Sequence, residues 1–315
     1  MDLGVTLAGL GVGIIVGLTG MGGGALMTPL LVLFFGVAPL SAVSSDLVAS
    51  AVMKPFGSAV HLRRGTVHGG LVRWLCVGSV PAAFAGVFVA RALGPGERVH
   101  QVIQTALGVA LLLAVFGLVA KTYLGLRDEV RREFVANPPG PVPVRVIPTV
   151  LVGVVGGLVV GITSVGSGSL IIVALLALYP ALRANDLVGT DLVQAVPLVA
   201  SAALAHLLFG DFQLGLTTSL VIGSIPGVLI GATLSSRAPG GFIRAALTVV
   251  LAASAAKLLG ASTVVVGVLI AALVVVGPIV WILARRRLGL PARREPSRPE
   301  KLQRSALTDD LQRSG

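Results

Sequence analysis

Long runs of apolar residues, separated by short polar segments, dominate the hydrophobicity pattern of the chain. A transmembrane helix needs about 20 largely apolar residues, so the pattern predicts an all-helical protein that crosses a membrane several times. Most of the runs have the length of a single span, whereas two of them are too long for one helix. The runs cover residues 3–36, 40–61, 69–93, 99–123, 146–180, 185–208, 212–236, 241–259 and 262–284.

A cluster of glycine and serine interrupts each of the two overlong runs. The first cluster is Gly20-Met21-Gly22-Gly23-Gly24, within 3–36, and the second is Gly166-Ser167-Gly168-Ser169, within 146–180. Consecutive glycines strongly disfavour helix. We therefore expect each of these runs to consist of two helical segments that are joined by a break inside the membrane.

The composition excludes a soluble enzyme and a nucleic-acid-binding protein. Hydrophobic residues make up 55% of the chain and charged residues only 12%, against roughly 25% charged residues in ordinary globular proteins. The net charge of +11 is concentrated in loops and in the tail 285–315. The single cysteine, Cys76, allows no intramolecular disulfide, iron–sulfur cluster or zinc cage, and we expect no metal and no organic cofactor.

The distribution of basic residues predicts the orientation of the chain. Cytoplasmic loops of membrane proteins are enriched in lysine and arginine, and the tail begins with arginine at 285–287. If each broken run returns to its starting side, the basic connections at 61–68 and 121–145 lie on that same side, whereas 91–98 runs against the rule. The prediction is a multi-pass protein of a prokaryotic plasma membrane, with a cytoplasmic C-terminus and an external N-terminus.

The sequence repeats itself at an offset of 144 to 145 residues. Residues 17–26 match 161–170, and aspartate, histidine, glycine and proline then recur at matched positions. Each repeat contains one broken hairpin and three full helices; since three is odd, we expect the two repeats to have inverted topology. The predicted parts are a first repeat at 1–124, a cytoplasmic linker at 125–145, a second repeat at 146–260, an extra helix at 261–284 and a basic cytoplasmic tail at 285–315.

Inverted repeats with helices broken at matching positions are typical of secondary transporters, whose substrate site lies where the breaks meet. Glycines also allow helices to pack closely. For Gly13, Gly17, Gly153 and Gly157 close packing is the favoured interpretation. For the clusters at 20–24 and 166–168 a functional break is favoured.

Two blocks of sequence resemble a known family. Residues 17–30 (GLTGMGGGALMTPL), then 42–46 (AVSSD) and a basic loop ending at Gly65, are similar to the TauE/SafE sulfite exporters, and 185–191 (NDLVGTD) through His206 resembles that family's repeated block. The resemblance covers about residues 3–259. It implies a transporter of sulfur-containing anions such as sulfite or organosulfonates, driven by an ion gradient, although some relatives carry small carboxylates.

The two breaks are the predicted binding site for a small anion. The first N–H groups of a half-helix have no partner within the helix, and the helix dipole is positive there, so two half-helix starts near Gly24 and Gly168 would cradle an anion. Lys54, inside the run 40–61, would supply a countercharge; the alternatives are that it snorkels or pairs with Asp46 or Asp191. The predicted substrate-binding residues are Thr19, Gly22, Gly23, Gly24, Lys54, Thr163, Ser164, Ser167, Gly168 and Ser169.

Five polar residues are candidates for ion coupling or gating, with a proton as the expected coupling ion. Asp46 and Asp191 would relay protons or fix the broken segments by accepting N–H bonds; the structural role is favoured because an ionised acid repels an anionic substrate. His61 and His206 fall near helix ends, where a gate or proton sensor competes with the favoured interpretation, an interfacial histidine bonded to loop backbone. Gln194, one turn after Asp191, is a predicted lining residue.

Two other functions share some of these features. An anion channel would have the same architecture, although inverted repeats around broken helices favour a carrier. An intramembrane hydrolase would use Ser167 or Ser169 as nucleophile with His206 as base. The first repeat has glycine or alanine where those serines fall, and His206 lies far along its helix, so the hydrolase is disfavoured.

Overall fold

The computed structural model describes residues 2–19, 23–63, 65–92, 97–134, 143–180, 182, 184–234 and 240–287. These residues form helices and no strand; Gly166 and Gly168 make an isolated bridge. The helices are α1 (Leu3–Thr19), α2 (Gly24–Phe34), α3 (Pro39–Arg63), α4 (Gly69–Ala92), α5 (Glu97–Phe134), α6 (Val146–Thr163), α7 (Leu170–Leu178), α8 (Ala184–Phe209), α9 (Leu214–Leu234), α10 (Gly240–Leu258) and α11 (Thr263–Arg287). The predicted all-helical class is confirmed.

Both predicted breaks are present. The run 3–36 divides into α1 and α2, and the run 146–180 divides into α6 and α7. Helix α5 continues through Phe134, into the segment 125–145 that the sequence analysis assigned to a linker. Residues 20–22, 135–142 and 288–315 lie outside the described residues, and with them lie part of the first glycine cluster, part of the linker and most of the basic tail.

Six helices in the described part of the chain are long and apolar enough to cross a membrane: α4, α5, α6, α8, α9 and α11. Helices α1 and α2 are apolar but shorter. Helix α3 has 25 residues, about 37 Å at 1.5 Å per residue, so it is long enough to span. Its lower hydropathy arises because it carries Asp46, Lys54 and several serines, all of them buried inside the bundle.

Glycines bring helices of the two repeats into backbone contact. A Cβ placed on Gly223 of α9 would lie 2.0 Å from the Thr6 carbonyl oxygen of α1, and one on Gly231 would lie 2.1 Å from the Ile14 carbonyl oxygen. Because the residue numbers of the contacts increase in the same direction on both helices, α1 and α9 are parallel. Gly13 lies in the same contact, as its Cβ would be 2.6 Å from the Ser224 carbonyl oxygen.

The repeat-related pair α4 and α6 packs in the same parallel manner. A Cβ on Gly153 would lie 2.5 Å from the Leu75 carbonyl oxygen, and one on Gly157 would lie 2.4 Å from that of Ser79. The close-packing interpretation of Gly13, Gly153 and Gly157 is therefore confirmed. These contacts fix two inter-repeat helix pairs, α1 with α9 and α4 with α6.

Helices α3 and α8 cross the centre of the bundle in opposite directions. Ser44, near the start of α3, contacts His206, near the end of α8 (Oγ to Nδ1 2.7 Å). Ser58, near the end of α3, donates to the Leu192 carbonyl in the first half of α8 (2.8 Å). This antiparallel pair carries most of the buried polar side chains, and it places them next to the broken helices.

Candidate functional site

The two broken segments touch each other. Gly24 begins α2, and a Cβ at this position would lie 2.0 Å from the carbonyl oxygen of Ser164, which follows the last residue of α6. Glycine is therefore required at position 24 for the approach. The start of one half-helix and the end of another meet at one point in the bundle, as the repeat pattern predicts.

Backbone conformation explains why the second break needs this particular sequence. Ser164 has a left-handed conformation (φ 59°) and its amide donates to the Val160 carbonyl (2.7 Å), which ends α6. Gly166 and Gly168 have φ values of 133° and 98°, a region that favours glycine. Thr163 stays inside the turn, where its hydroxyl accepts the Val165 amide (3.1 Å).

The first amides of α7 are already hydrogen-bonded within the break. The amides of Ser169, Leu170 and Ile171 all point at the Gly166 carbonyl, at 3.3, 3.0 and 3.4 Å. The half-helix start that the sequence analysis placed near Gly168 therefore has these donors occupied by the chain itself. An anion at this point would be bound through side chains, or would have to displace that carbonyl.

The described residues beside the first break, Thr19, Gly23 and Gly24, include one polar side chain, that of Thr19. The Thr19 hydroxyl donates to the carbonyl four residues earlier (2.8 Å), inside its own helix. The Gly23 carbonyl accepts the amides of Leu26 and Met27, at 3.0 and 2.9 Å, and so begins α2. Gly22 lies outside the described residues. Polar side chains that can contact an anion are therefore supplied mainly by the second break and by α3.

Lys54 points into the bundle towards the second break. Its side chain is only 6% exposed, and the ammonium donates a hydrogen bond to the Ser167 hydroxyl (2.5 Å). Asp46 and Asp191 both lie near enough to interact with it electrostatically. Of the three predicted roles for Lys54, snorkelling is wrong, because the side chain does not reach solvent. Its position fits a countercharge that lies within electrostatic reach of two carboxylates.

Asp46 connects α3 to both broken segments. It is fully buried, and its Oδ2 accepts hydrogen bonds from the hydroxyls of Thr28 on α2 (2.8 Å) and Ser164 at the second break (2.7 Å). Ser50 donates a longer bond to Oδ1 (3.4 Å). The donors are hydroxyls rather than the backbone amides that the sequence analysis expected. These hydroxyl donors satisfy the buried carboxylate and link α3 to α2 and to the second break.

Asp191 and Gln194 connect α8 to α4. The Gln194 amide nitrogen donates to Asp191 Oδ1 (3.1 Å), and its amide oxygen accepts from the Ser79 hydroxyl (3.1 Å). All three side chains are fully buried. Gln194, which was predicted as a lining residue from its spacing to Asp191, therefore contacts that carboxylate directly. It also links the carboxylate to Ser79 on the neighbouring helix α4.

The two histidines have different environments. His61 is half-buried and contacts the hydroxyl of Thr66, in the connection after α3 (Nδ1 to Oγ1 3.0 Å). His206 is fully buried, with Nε2 on the Gly161 carbonyl (2.8 Å) and Nδ1 on Ser44. The favoured interfacial interpretation is thus wrong for His206: it binds a helix carbonyl freed by the break in α6, not a loop.

The hydroxyl partners of these groups were not among the residues predicted from the sequence. Ser50 follows Asp46 by four residues, a helical spacing at which two side chains meet, so it was detectable from the sequence. Thr28, Ser44 and Ser79 reach the site through contacts between helices, for which the spacing along the chain gives no signal.

Comparison with known proteins assigns the chain to a family. The model of the family "Sulfite exporter TauE/SafE" matches residues 5–258. The chain belongs to the TauE/SafE sulfite exporter family. A Bacillus subtilis relative of this membrane transporter family, "Probable membrane transporter protein YjnA", is 40% identical over 239 residues, which cover 75% of this chain and 91% of the relative.

A second Bacillus subtilis protein, "Probable membrane transporter protein YdhB", is 22% identical over 240 residues, which cover 75% of this chain and 91% of the relative. No solved structure matches the chain. The family assignment and the helical spans together make this TauE/SafE protein a multi-pass membrane transporter.

Proposed function

We propose that this TauE/SafE protein is a secondary transporter that exports a small sulfur-containing anion, such as sulfite or a sulfonate, across a prokaryotic plasma membrane in exchange for or together with protons. The observation that carries the proposal is the Lys54–Ser167 contact, in which a buried ammonium on α3 meets a hydroxyl of the second break. An ammonium inside a membrane protein is costly and marks an ion pathway by default. The family name supports the sulfur-containing cargo.

The charges around Lys54 favour coupling to a proton. Asp46 and Asp191 both interact electrostatically with Lys54, so the ionised group of three has a net charge of −1 (one ammonium, two carboxylates). Binding a monoanion would make the net charge of this group −2. Gathering that much negative charge in a medium of low dielectric is unfavourable. One proton on a carboxylate compensates for the anion. With Asp46 assigned to structure, Asp191 is the carboxylate that we assign to this proton.

Inverted repeats are part of the proposal. Repeat-related helices α3 and α8 run antiparallel, and the repeat-related glycines lie in two equivalent parallel helix pairs. Both features support two repeats of opposite orientation around a central two-fold axis. Together with the basic connections, this supports the proposed orientation, with the N-terminus outside and the C-terminus in the cytoplasm.

The contacts of His206 argue against the hydrolase alternative. A serine nucleophile needs its base within hydrogen-bonding distance. Both ring nitrogens of His206 are engaged, by Ser44 and Gly161, while Ser167 contacts Lys54. The arrangement fits binding of an anion rather than activation of a hydroxyl, in agreement with relatives named as transporters.

The experiment is anion flux into proteoliposomes that contain the purified protein. Sulfite, thiosulfate, sulfoacetate, taurine and lactate are compared with and without an imposed proton gradient, in the wild type, Lys54→Ala and the control Lys257→Ala. Lys257 is a matched control because it is an exposed lysine near the end of α10. We expect one sulfur oxyanion to move faster with the gradient, and at least about 100-fold slower in Lys54→Ala.

Other outcomes contradict separate parts of the proposal. Movement of lactate alone keeps the carrier but overturns the sulfur-containing cargo. Fast flux that follows the membrane potential and ignores the proton gradient identifies a channel. Wild-type flux in Lys54→Ala removes Lys54 from the site.

A further inference from the structure

We propose that the connections after α3 and after α8 are the two gates of this transporter, each held closed by a hydroxyl group on the helix of the opposite repeat. The first gate is the segment 65–68, which lies on the start of α8. The second gate is the segment 210–213, which lies on the start of α3. The proposal rests on the transporter function above, because only a transporter needs access from both sides in turn.

In the first gate, Thr190 of α8 holds the connection. The Thr190 hydroxyl accepts the His68 amide (2.9 Å) and donates to the Asp186 carbonyl of its own helix (2.6 Å). A Cβ on Gly189 would lie 2.3 Å from the Thr66 carbonyl oxygen, so the connection rests directly on α8. Thr190 precedes Asp191, and movement of this gate therefore acts on the carboxylate to which we assign the proton.

In the second gate, Ser41 of α3 holds the connection. Its hydroxyl donates to the carboxylate of Asp211. The amide of Gly210, in the same connection, donates to the His206 carbonyl (2.8 Å), and His206 contacts Ser44 of α3. Ser41 precedes Asp46 on the same helix, so this gate is connected to the structural carboxylate.

The two gates occupy equivalent positions of the two repeats. At the offset of 145 residues, Thr66 corresponds to Asp211 and Thr190 to Ser45, one turn from Ser41. Because α3 and α8 are antiparallel, the starts of these helices, and hence the gates, lie at opposite ends of the bundle. Between the gates Asp46 and Asp191 are fully buried. The structure is therefore an occluded state in which both gates are closed.

The gates differ in the chemistry of their closing bond. Ser41 binds a carboxylate, whereas Thr190 binds a backbone amide. A hydrogen bond to a charged group is about twice as strong as a neutral one. Removing the Ser41–Asp211 bond should therefore open its gate more than removal of the Thr190 hydroxyl opens the other.

The experiment measures access to the centre from each side of the membrane. Ser50→Cys is the reporter, in a Cys76→Ser background, because Ser50 is 2% exposed and contacts Asp46. Membrane vesicles of both orientations are treated with a membrane-impermeant thiol reagent. We expect Ser41→Ala to speed labelling about tenfold from the 210–213 side only, and Thr190→Val to speed it by a smaller factor from the 65–68 side only.

Matched control variants distinguish the opening of one gate from a general loosening of the helix packing. The hydroxyl of Thr105 donates to the carbonyl four residues earlier (2.8 Å), as that of Thr190 does, but Thr105 is exposed. In Thr105→Val, the reporter cysteine should therefore be labelled at the parental rate. Ser41→Thr and Thr190→Ser keep a hydroxyl and should restore parental labelling. Equal labelling from both sides, acceleration from the same side in both variants, or no acceleration in either would overturn the proposal.

The labelling does not depend on the cargo. If it is specific to one side while no anion moves in proteoliposomes, the proposed cargo fails and the gates stand. If anions move but labelling stays at the parental level, the gates fail and the proposed transport function stands.

Discussion

The two repeat-related aspartates occupy equivalent positions but have different partners. Asp46 accepts bonds from Thr28 and Ser50, and the residues of the second repeat at those positions are Ile172 and Ala195. Neither of these can donate to a carboxylate through its side chain. The environment of the second aspartate must therefore be built from other residues.

Asp191 is contacted by Gln194, whose equivalent in the first repeat is Ala49. The cation is also confined to one repeat, since Lys54 corresponds to Val199. A duplicated backbone thus carries two different polar centres. The repeat therefore determines where the two carboxylates lie along the chain, while individual substitutions give them different partners, in keeping with the different roles that we propose for them.

Of the substitutions that test the relation between the two repeats, one at the contact between the two breaks should reduce stability most. Gly24→Ala places a methyl group 2.0 Å from the Ser164 carbonyl oxygen, a backbone atom that cannot move aside. We expect a loss of about 3 kcal/mol of unfolding free energy, measured by unfolding in mixed detergent micelles. Gly23→Ala is the control, because its methyl group would meet the flexible end of Met53 at 3.1 Å. Equal losses in both variants would contradict the assigned contact.

Exchange of each aspartate for asparagine should separate their roles. In Asp46→Asn, an amide replaces an oxygen that accepts from Thr28 and Ser164, so we expect a loss of about 2 kcal/mol of unfolding free energy. Asp191→Asn should stay folded and lose the acceleration of flux by a proton gradient, because the amide takes up no proton. The assay pairs unfolding with gradient-driven flux. A loss of stability in Asp191→Asn, with a loss of gradient-driven acceleration in Asp46→Asn, would mean that the structural and coupling roles are the other way round.

The histidines offer a smaller test. His206→Gln should lose about 1 kcal/mol of unfolding free energy, because glutamine cannot satisfy both Ser44 and Gly161 with the geometry of the ring. His61→Gln should lose about 0.5 kcal/mol or less, since His61 is half-buried and contacts Thr66 in a connection. Equal losses would mean that the buried position of His206 has no energetic importance.

The sequence predicted the breaks and the matched aspartates, because each depends on local composition or on the repeat, whereas for Lys54 it left burial and snorkelling both open. Consecutive glycines break a helix wherever it lies, and the offset of 145 residues pairs Asp46 with Asp191. The partners of His206 were not predictable. Ser44 is 162 residues away from it, and the Gly161 carbonyl needs a partner only because α6 ends nearby. Such contacts arise from helix packing, which periodicity does not encode.

The most direct test of the central claim is equilibrium binding of sulfite to the purified protein by titration calorimetry. Binding at the Lys54–Ser167 junction predicts saturable one-to-one binding in the wild type and in Lys257→Ala. It predicts binding at least about tenfold weaker in Lys54→Ala, from loss of a buried charge-assisted bond. Unchanged affinity in Lys54→Ala would contradict the account, since the anion would then bind elsewhere in the bundle.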